Sequence, residues 1–424
     1  MNTARIAIAG AAVVVSVALG LSLAWPRAEH IPSSSAAAWA PTPQNIARGA
    51  YLARAGNCVA CHTARGGAPY AGGRALDTPF GRFYGPNLTP DHATGIGAWS
   101  ADDFWNALHN GIGRDGRLLY PSFPYPNTTR VTRADADALY AYLRSLAPQR
   151  QPNRPHALRF PYDQQALLAG WRLLYFRPGV QRDQPARSAA WNRGAYLVEG
   201  LGHCSACHST RNRLGATVDG LDGGLMPALG WYAPSLASNA EAGLKDWTED
   251  EIVALLGTGV APRGSATGPM AEVVARSLQH LTREDLQAMA GYLKTLEGAP
   301  TPVPPPAPAP QHQVLAEGRR IYEQACAQCH GDRGQGKPPA YPALAGNRAV
   351  TLTPAVNAIR MVVNGGFPPS TRGNPRPYGM PPFGHELDDA QVAAVLTWVR
   401  ASWGNAAPAV SGVEVNRYRS VPPD

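Results

Sequence analysis

The chain has 424 residues, 44% of them apolar and 16% charged, with a formal net charge of +8. That length suits three domains of about 100 to 150 residues each, and Gly 44 with Pro 41 promises many loops around modest cores. The 38 Lys and Arg form no basic run, which argues against a nucleic-acid partner.

Residues 1–26 come first. After Arg5, the twenty residues Ile6–Trp25 carry no charge. Twenty apolar residues can cross a bilayer as a helix, whereas a cleavable signal has an apolar stretch of about 7–15. The expectation is a transmembrane anchor, with a removed signal as the alternative. Ala38-Trp39-Ala40 resembles a cleavage site but lies far from the apolar run. Either reading puts the bulk of the chain outside the cytoplasm. A Ser/Ala/Pro tether, Ala28–Pro43, follows.

Residues 41–150 form the first predicted domain. Arg48-Gly-Ala-Tyr-Leu52 predicts a short amphipathic helix running into Cys58-Val-Ala-Cys61-His62. A second helix should begin near Ser100 and close at His109. Thr132-Arg-Ala-Asp135 is a capping-box pattern ahead of a helix over Ala136–Leu146. Residues 151–188 connect to the next domain and include Ala166–Phe176, eleven residues and too few to span a membrane. They read as an interdomain packing helix, or as a contact for a partner or a membrane surface.

Residues 189–298 repeat the plan. Arg193-Gly-Ala-Tyr-Leu197 leads into Cys204-Ser-Ala-Cys207-His208, a helix begins near Thr248, and Thr282-Arg-Glu-Asp285 precedes a helix over Leu286–Leu296. Leu286, Met289, Ala290 and Leu293 supply its spacing of three and four. Residues 299–312, rich in proline, read as a semi-rigid spacer that should hold the third domain away from the second. Residues 313–405 open with Gly318-Arg-Arg-Ile-Tyr322, carry Cys326-Ala-Gln-Cys329-His330 and close with Asp388-Asp-Ala-Gln391 before a helix over Val392–Trp403. Residues 406–424 remain as a tail. Each unit starts on a helix that carries the motif and ends on one that can pack against it.

The three Cys-Xaa-Xaa-Cys-His copies use all six cysteines: Cys58, Cys61, Cys204, Cys207, Cys326 and Cys329. In this motif both thiols add across the vinyl groups of haem, and His62, His208 and His330 become axial iron ligands. The expectation is three covalent haem c groups and a protein that moves electrons; the haem propionates offset most of the positive charge. Methionine is the usual sixth ligand and raises the potential. Met380 stands 50 residues after His330 in Tyr378-Gly-Met-Pro-Pro382, and Met270 stands 62 after His208 in Gly268-Pro-Met270. Both should lie on the loop before the closing helix. Met289 falls within a helix, Met361 follows a helical stretch, and Met226 comes only 18 residues after His208. In the first domain the corresponding residue is Phe123, 61 after His62, and no methionine lies between residues 41 and 150. His109 and His92 are the available sixth ligands there, unless the iron is open. Asp102-Asp103 and Glu249-Asp250 suit the dipoles of helix starts rather than catalysis. Gly331–Gly336 reads as a loop, not a nucleotide cradle.

Over about residues 45–405 the chain resembles the three-haem cytochrome c subunits of bacterial membrane-bound dehydrogenases. These are the partners of quinoprotein alcohol, flavin gluconate and molybdenum-containing aldehyde or nicotinate dehydrogenases. The resemblance rests on Asn87-Leu-Thr-Pro-Asp91 with Gly95-Ile-Gly97, on Trp191 through Cys204, on Trp231-Tyr-Ala-Pro-Ser-Leu236 and on Trp398 through Asn405. It implies an all-α chain of three tandem class I c-type cytochrome domains after an N-terminal membrane anchor. It also implies an electron-transfer subunit without catalysis of its own. Electrons would enter from a catalytic dehydrogenase subunit and leave to ubiquinone or a terminal oxidase, at the periplasmic face of the inner membrane. Phe123 and Gly170–Phe176 look more like the branch paired with molybdenum hydroxylases. Two alternatives stand beside it: a peroxidase-type enzyme using the Met-lacking first haem, and a cytochrome subunit of a terminal oxidase. Thiol–disulfide or zinc chemistry is disfavoured by the histidine that follows each cysteine pair.

Overall fold

The computed structural model describes residues 34–218, 220–298 and 309–421. The expected N-terminal anchor and most of the proline-rich spacer lie outside the described residues. Among the described residues no helix is long and apolar enough to cross a membrane.

The framework is helical. The first domain holds α1 (Pro43–Ala55), α2 (Ala101–Asn110), α3 (Arg133–Ser145) and, in the connecting segment, α4 (Gln165–Tyr175). The second holds α5 (Ala189–Ala195), α6 (Glu249–Thr258), α7 (Gly268–Arg276) and α8 (Arg283–Lys294). The third holds α9 (His312–Ala325), α10 (Val356–Asn364), α11 (Asp389–Arg400) and α12 (Gly412–Arg419). Small antiparallel pairings add to it. β1 (Ala75–Thr78) pairs with β2 (Gly81–Tyr84), which also takes β3 (Ala157–Leu158), and β4 (Gly224–Met226) pairs with β5 (Trp231–Ala233).

The expected helix starts are present. Thr132, Thr282 and Asp388 each accept the backbone N–H three residues on, as Ser100 and Thr248 do. The reciprocal half of the box forms at Asp388 with Gln391. At Thr132 and Thr282 the third residue is turned to another task. Asp135 takes the guanidinium of Arg48 at 2.6 Å and Asp285 that of Arg193 at 2.7 Å, tying the first helix of each domain to its last.

A glycine sets that crossing. A Cβ on Gly49 would lie 1.9 Å from the Ala138 carbonyl oxygen, one on Gly194 2.0 Å from that of Ala288, and one on Gly318 2.2 Å from that of Ala394. The helix backbones touch, and only glycine permits it. In the second domain Tyr196–Leu201 forms a π-turn between α5 and the cysteine motif. One residue more separates Gly194 from Cys204 than separates Gly49 from Cys58, and a π-turn is how a helix absorbs such an insertion.

The chain divides into two compact units. Among the described residues, one contains 34–52 with Cys61–Arg182, and the other contains Ala53–Ala60 with those from Asp183 on. The second and third domains therefore share one unit. This corrects the expectation that the proline-rich spacer holds them apart. Asn357 exchanges two hydrogen bonds with the Tyr232 backbone, at 2.9 and 2.7 Å. Arg360 lies over the Trp231 ring at 5.1 Å and Arg348 pairs with Asp246 at 3.1 Å. These complementary surfaces outweigh the stiffness of a short connection.

Within the first unit α4 packs on its own domain. Leu168 and Ala169 join Ile112 and Leu118 in a small core, and Gln165 bonds both backbone groups of Leu118. Arg172 donates to the Asn110 carbonyl at the C-terminus of α2 and covers the rings of Tyr125 and Phe176. The opposite side of α4 leaves Leu167, Leu173 and Leu174 exposed, with Phe160 and Tyr162 just upstream. The predicted tail is also ordered in part: Val410 and Val415 enter the core formed by Ile359, Val392 and Leu396.

Candidate haem sites

The proximal sides share a plan, with a left-handed bend before the cysteines in the first two sites and a helix running up to Cys326 in the third. The first helix delivers the chain to a tight turn that holds the cysteine pair and the histidine. Asn57 and His203, just before Cys58 and Cys204, take left-handed φ of 48° and 40° to make the bend. All six cysteines are free of disulfides. Burial pushes the Cys204 thiol up to about 12 and Cys326 to about 11. Thiol–disulfide exchange and zinc binding need thiolates near neutral pH, so burial opposes both at Cys204, Cys207 and Cys326. Among the described residues no group of three His, Cys, Asp or Glu converges as a metal site.

Each histidine meets a proline carbonyl. Nδ1 of His62 lies 2.8 Å from Pro86 O, that of His208 2.7 Å from Pro234 O, and that of His330 3.0 Å from Pro342 O. A carbonyl can only accept, so Nδ1 carries the proton and Nε2 keeps its lone pair for iron. Burial lowers all three imidazole pKa values below 6.5, which favours the neutral, ligating form. This clamp was missed in the sequence, although a signal was present: Pro86-Asn-Leu88, Pro234-Ser-Leu236 and Pro342-Ala-Leu344 repeat Pro-Xaa-Leu after each motif.

The carbonyls are themselves fixed. Asn87, next to Pro86, is buried and accepts from Thr89 while donating to the Gln149 carbonyl. Ser235, next to Pro234, gives its N–H to Glu241 at 2.6 Å and its hydroxyl to Leu221 O at 3.2 Å. The backbone also comes close to the motif: a Cβ on Gly85 would lie 2.0 Å from the Cys61 carbonyl oxygen.

The expected distal residues sit differently in each domain. Met380 is half-buried and pairs with Gly366 through both backbone groups, at 2.8 and 3.0 Å, closing the base of a loop. Met270 is half-buried but not on a loop. It stands in the first turn of α7, behind Pro269, because proline at the start of a helix sacrifices no needed N–H. Phe123 is half-buried in a turn where its N–H reaches Tyr120 O at 3.0 Å. Met289 is buried in α8, Met226 lies in β4, and Met361 lies within α10 rather than after it.

His92 is exposed, on the loop after β2. His109 is 3% exposed, stacked on Trp105 at 4.7 Å, with Nδ1 2.8 Å from Thr129 O. Its tautomer is that of the three motif histidines. His156, which sequence reasoning passed over, is the reverse. Its Nδ1 accepts the Tyr84 N–H at 3.2 Å, which puts the proton on Nε2 and removes that nitrogen as a ligand.

These residues suit covalent haem: paired unbridged thiols, a neutral histidine of fixed tautomer beside them, and backbone approaching closely. Two buried polar atoms without hydrogen-bond partners, Asn57 Oδ1 and Asn364 Nδ2, adjoin Cys58 and the base of the Met380 loop.

Comparison with known proteins agrees with this geometry. The family model described as cytochrome c matches residues 46–147, 192–297 and 315–403. A nicotinate dehydrogenase subunit of Pseudomonas putida is 42% identical over 94% of this chain, which spans only 34% of that protein. The gluconate 2-dehydrogenase cytochrome c subunit of Pantoea cypripedii is 39% identical over 86% of this chain and 87% of its own length. The cytochrome c subunit of the quinone alcohol dehydrogenase of Gluconobacter oxydans is 37% identical, over 88% and 82%.

Proposed function

Because the chain belongs to the cytochrome c family and carries three covalently bound haem c groups, we propose that it is the electron-transfer subunit of a periplasmic dehydrogenase complex. A bound haem supplies one reversible electron at its iron. The protein's part is to hold, orient and tune it. The Pro86, Pro234 and Pro342 carbonyls fix the proximal tautomer. Met270 and Met380 serve as sixth ligands and raise two of the three potentials. Phe123 has no donor atom, so the first site takes His109, whose Nε2 lone pair is the right one, or keeps an open position.

Electrons enter from a catalytic dehydrogenase subunit of quinoprotein, flavin or molybdenum type and leave to ubiquinone or a terminal oxidase. The names of the relatives support a dehydrogenase donor. The apolar run Ile6–Trp25 and the exposed leucines of α4 support a place on the periplasmic face of the inner membrane.

One observation carries this reading: the unbridged cysteine pair with a carbonyl-clamped histidine occurs three times in one chain. The test is anaerobic mixing of the holo-protein with the dehydrogenase subunit that co-purifies with it. Substrate-dependent reduction of all three haems is expected. A chain that stays oxidised while substrate is consumed would sink the proposal.

A further inference from the structure

We propose that α7, bearing Met270, and the loop of residues 365–382, bearing Met380, are fixed to one another by a clasp between the second and third domains. In this clasp Thr371 and Arg372 are positioning residues for both haem sites. The inference rests on Met270 and Met380 being sixth ligands.

The Met380 loop is closed at its base by the pairing with Gly366. Its flanks are open to solvent: Phe367 is 66% exposed and Tyr378 59%. An exposed loop of this length would ordinarily fluctuate. At its tip two residues are nonetheless buried, Pro369 and Thr371, while Ser370, Arg372 and Gly373 stay exposed. Pro369 is buried and stands where a Cβ on Gly259, the residue that ends α6, would lie 2.1 Å from it. Thr371, 5% exposed, donates its hydroxyl to Thr258 O at 3.0 Å. Arg372 gives its backbone N–H to Gln279 Oε1 and its guanidinium to Gln279 O, both at 3.2 Å.

Gln279 belongs to the turn Leu278–His280 directly after α7. The other end of α7 is held as well. Gly268 lies against the Trp231 ring, where a Cβ would come within 2.6 Å, and Arg360 covers that ring from the third domain. Arg360 sits on α10, which runs straight into the Met380 loop. The helix with one methionine is thus tied at its far end to the loop that carries the other, and its near end packs on a ring that α10 covers. A displacement of either moves both, because each contact joins a side chain to a backbone group of the other domain or buries a ring between them. Loosening the tip should weaken methionine ligation at two irons together.

The full-length holo-protein with Thr371→Val and Arg372→Ala tests this, with Thr371→Ser and Arg372→Lys as the conservative pair. The readouts are the ferric methionine–iron charge-transfer band, the shifted methionine methyl resonances and the pH at which each is lost. In the Val/Ala variant both methionine centres should lose the signal about one pH unit earlier, a tenfold easier displacement. The Ser/Lys variant should restore it. Thermal stability falling while both signals keep their wild-type midpoints, or only one centre responding, overturns the clasp and leaves the axial reading intact. An unmodified protein without methionine signals overturns both.

Discussion

The first domain and the two that follow share a proximal side and differ on the other. Cys58-to-His62, Cys204-to-His208 and Cys326-to-His330 meet the same proline-carbonyl clamp. In sequence, the position proposed for the sixth ligands Met270 and Met380 is held in the first domain by Phe123, in a turn where its N–H reaches Tyr120 O. Covalent attachment explains the contrast. Two thioether bonds and an imidazole allow little variation in the residues that hold them, whereas a distal side chain can be exchanged without releasing the haem. Tuning therefore belongs on the distal side.

The largest test attacks what the domains share. Alanine at Gly49, Gly194 or Gly318 puts a methyl group about 2 Å from a carbonyl oxygen of the partner helix. Each should cost about 3 kcal/mol, with loss of the mutated domain's haem. The check is haem content per chain: three in the parent and two in each variant. Equal losses at the three positions would sharpen the view that the crossing is one repeated device.

Next comes the distal contrast itself. Phe123→Met should add a third methionine–iron signature and raise the lowest potential in a redox titration. Met380→Leu should remove one signature, and Phe123→Leu none. A wild-type protein with three such signatures would erase the distinction between the domains.

Smaller effects follow from the helix ties. Asp135→Ala and Asp285→Ala each leave an arginine without its carboxylate, at about 1 kcal/mol in denaturant midpoints, because Arg48 and Arg193 are partly solvated. The third domain uses Asp389 with Arg419 instead, joining α11 to α12. Asn416 and Arg419 hold the Asp389 carboxyl below its usual 3.8. That contribution is present above pH 3.8 and is lost as pH falls through the lower folded value. It amounts to roughly 1 kcal/mol or less. Hydrogen exchange in α12 should accelerate under acid in the parent and at neutral pH in Asp389→Asn.

The cysteine motifs, the helix starts at Ser100, Thr132, Thr248, Thr282 and Asp388, and the repetition of the domain are all legible in the sequence. They depend on residues within a few positions of each other, whose hydrogen bonds and covalent chemistry are local. The placement of Met270 in a helix was missed because Gly268-Pro269 reads equally as a loop and as a helix start.

What lay beyond the sequence was long-range. Whether Asp135 caps its own helix or pairs with Arg48 depends on a residue 87 positions away. That Pro86, Pro234 and Pro342 face the histidines depends on how each chain returns after the motif. That the second and third domains share one unit depends on Trp231, Asn357, Thr371 and Gln279 arriving together. Linear order states which groups exist and which neighbours can bond. Only packing decides which distant groups meet, since each such meeting is a competition among many surfaces for the same burial.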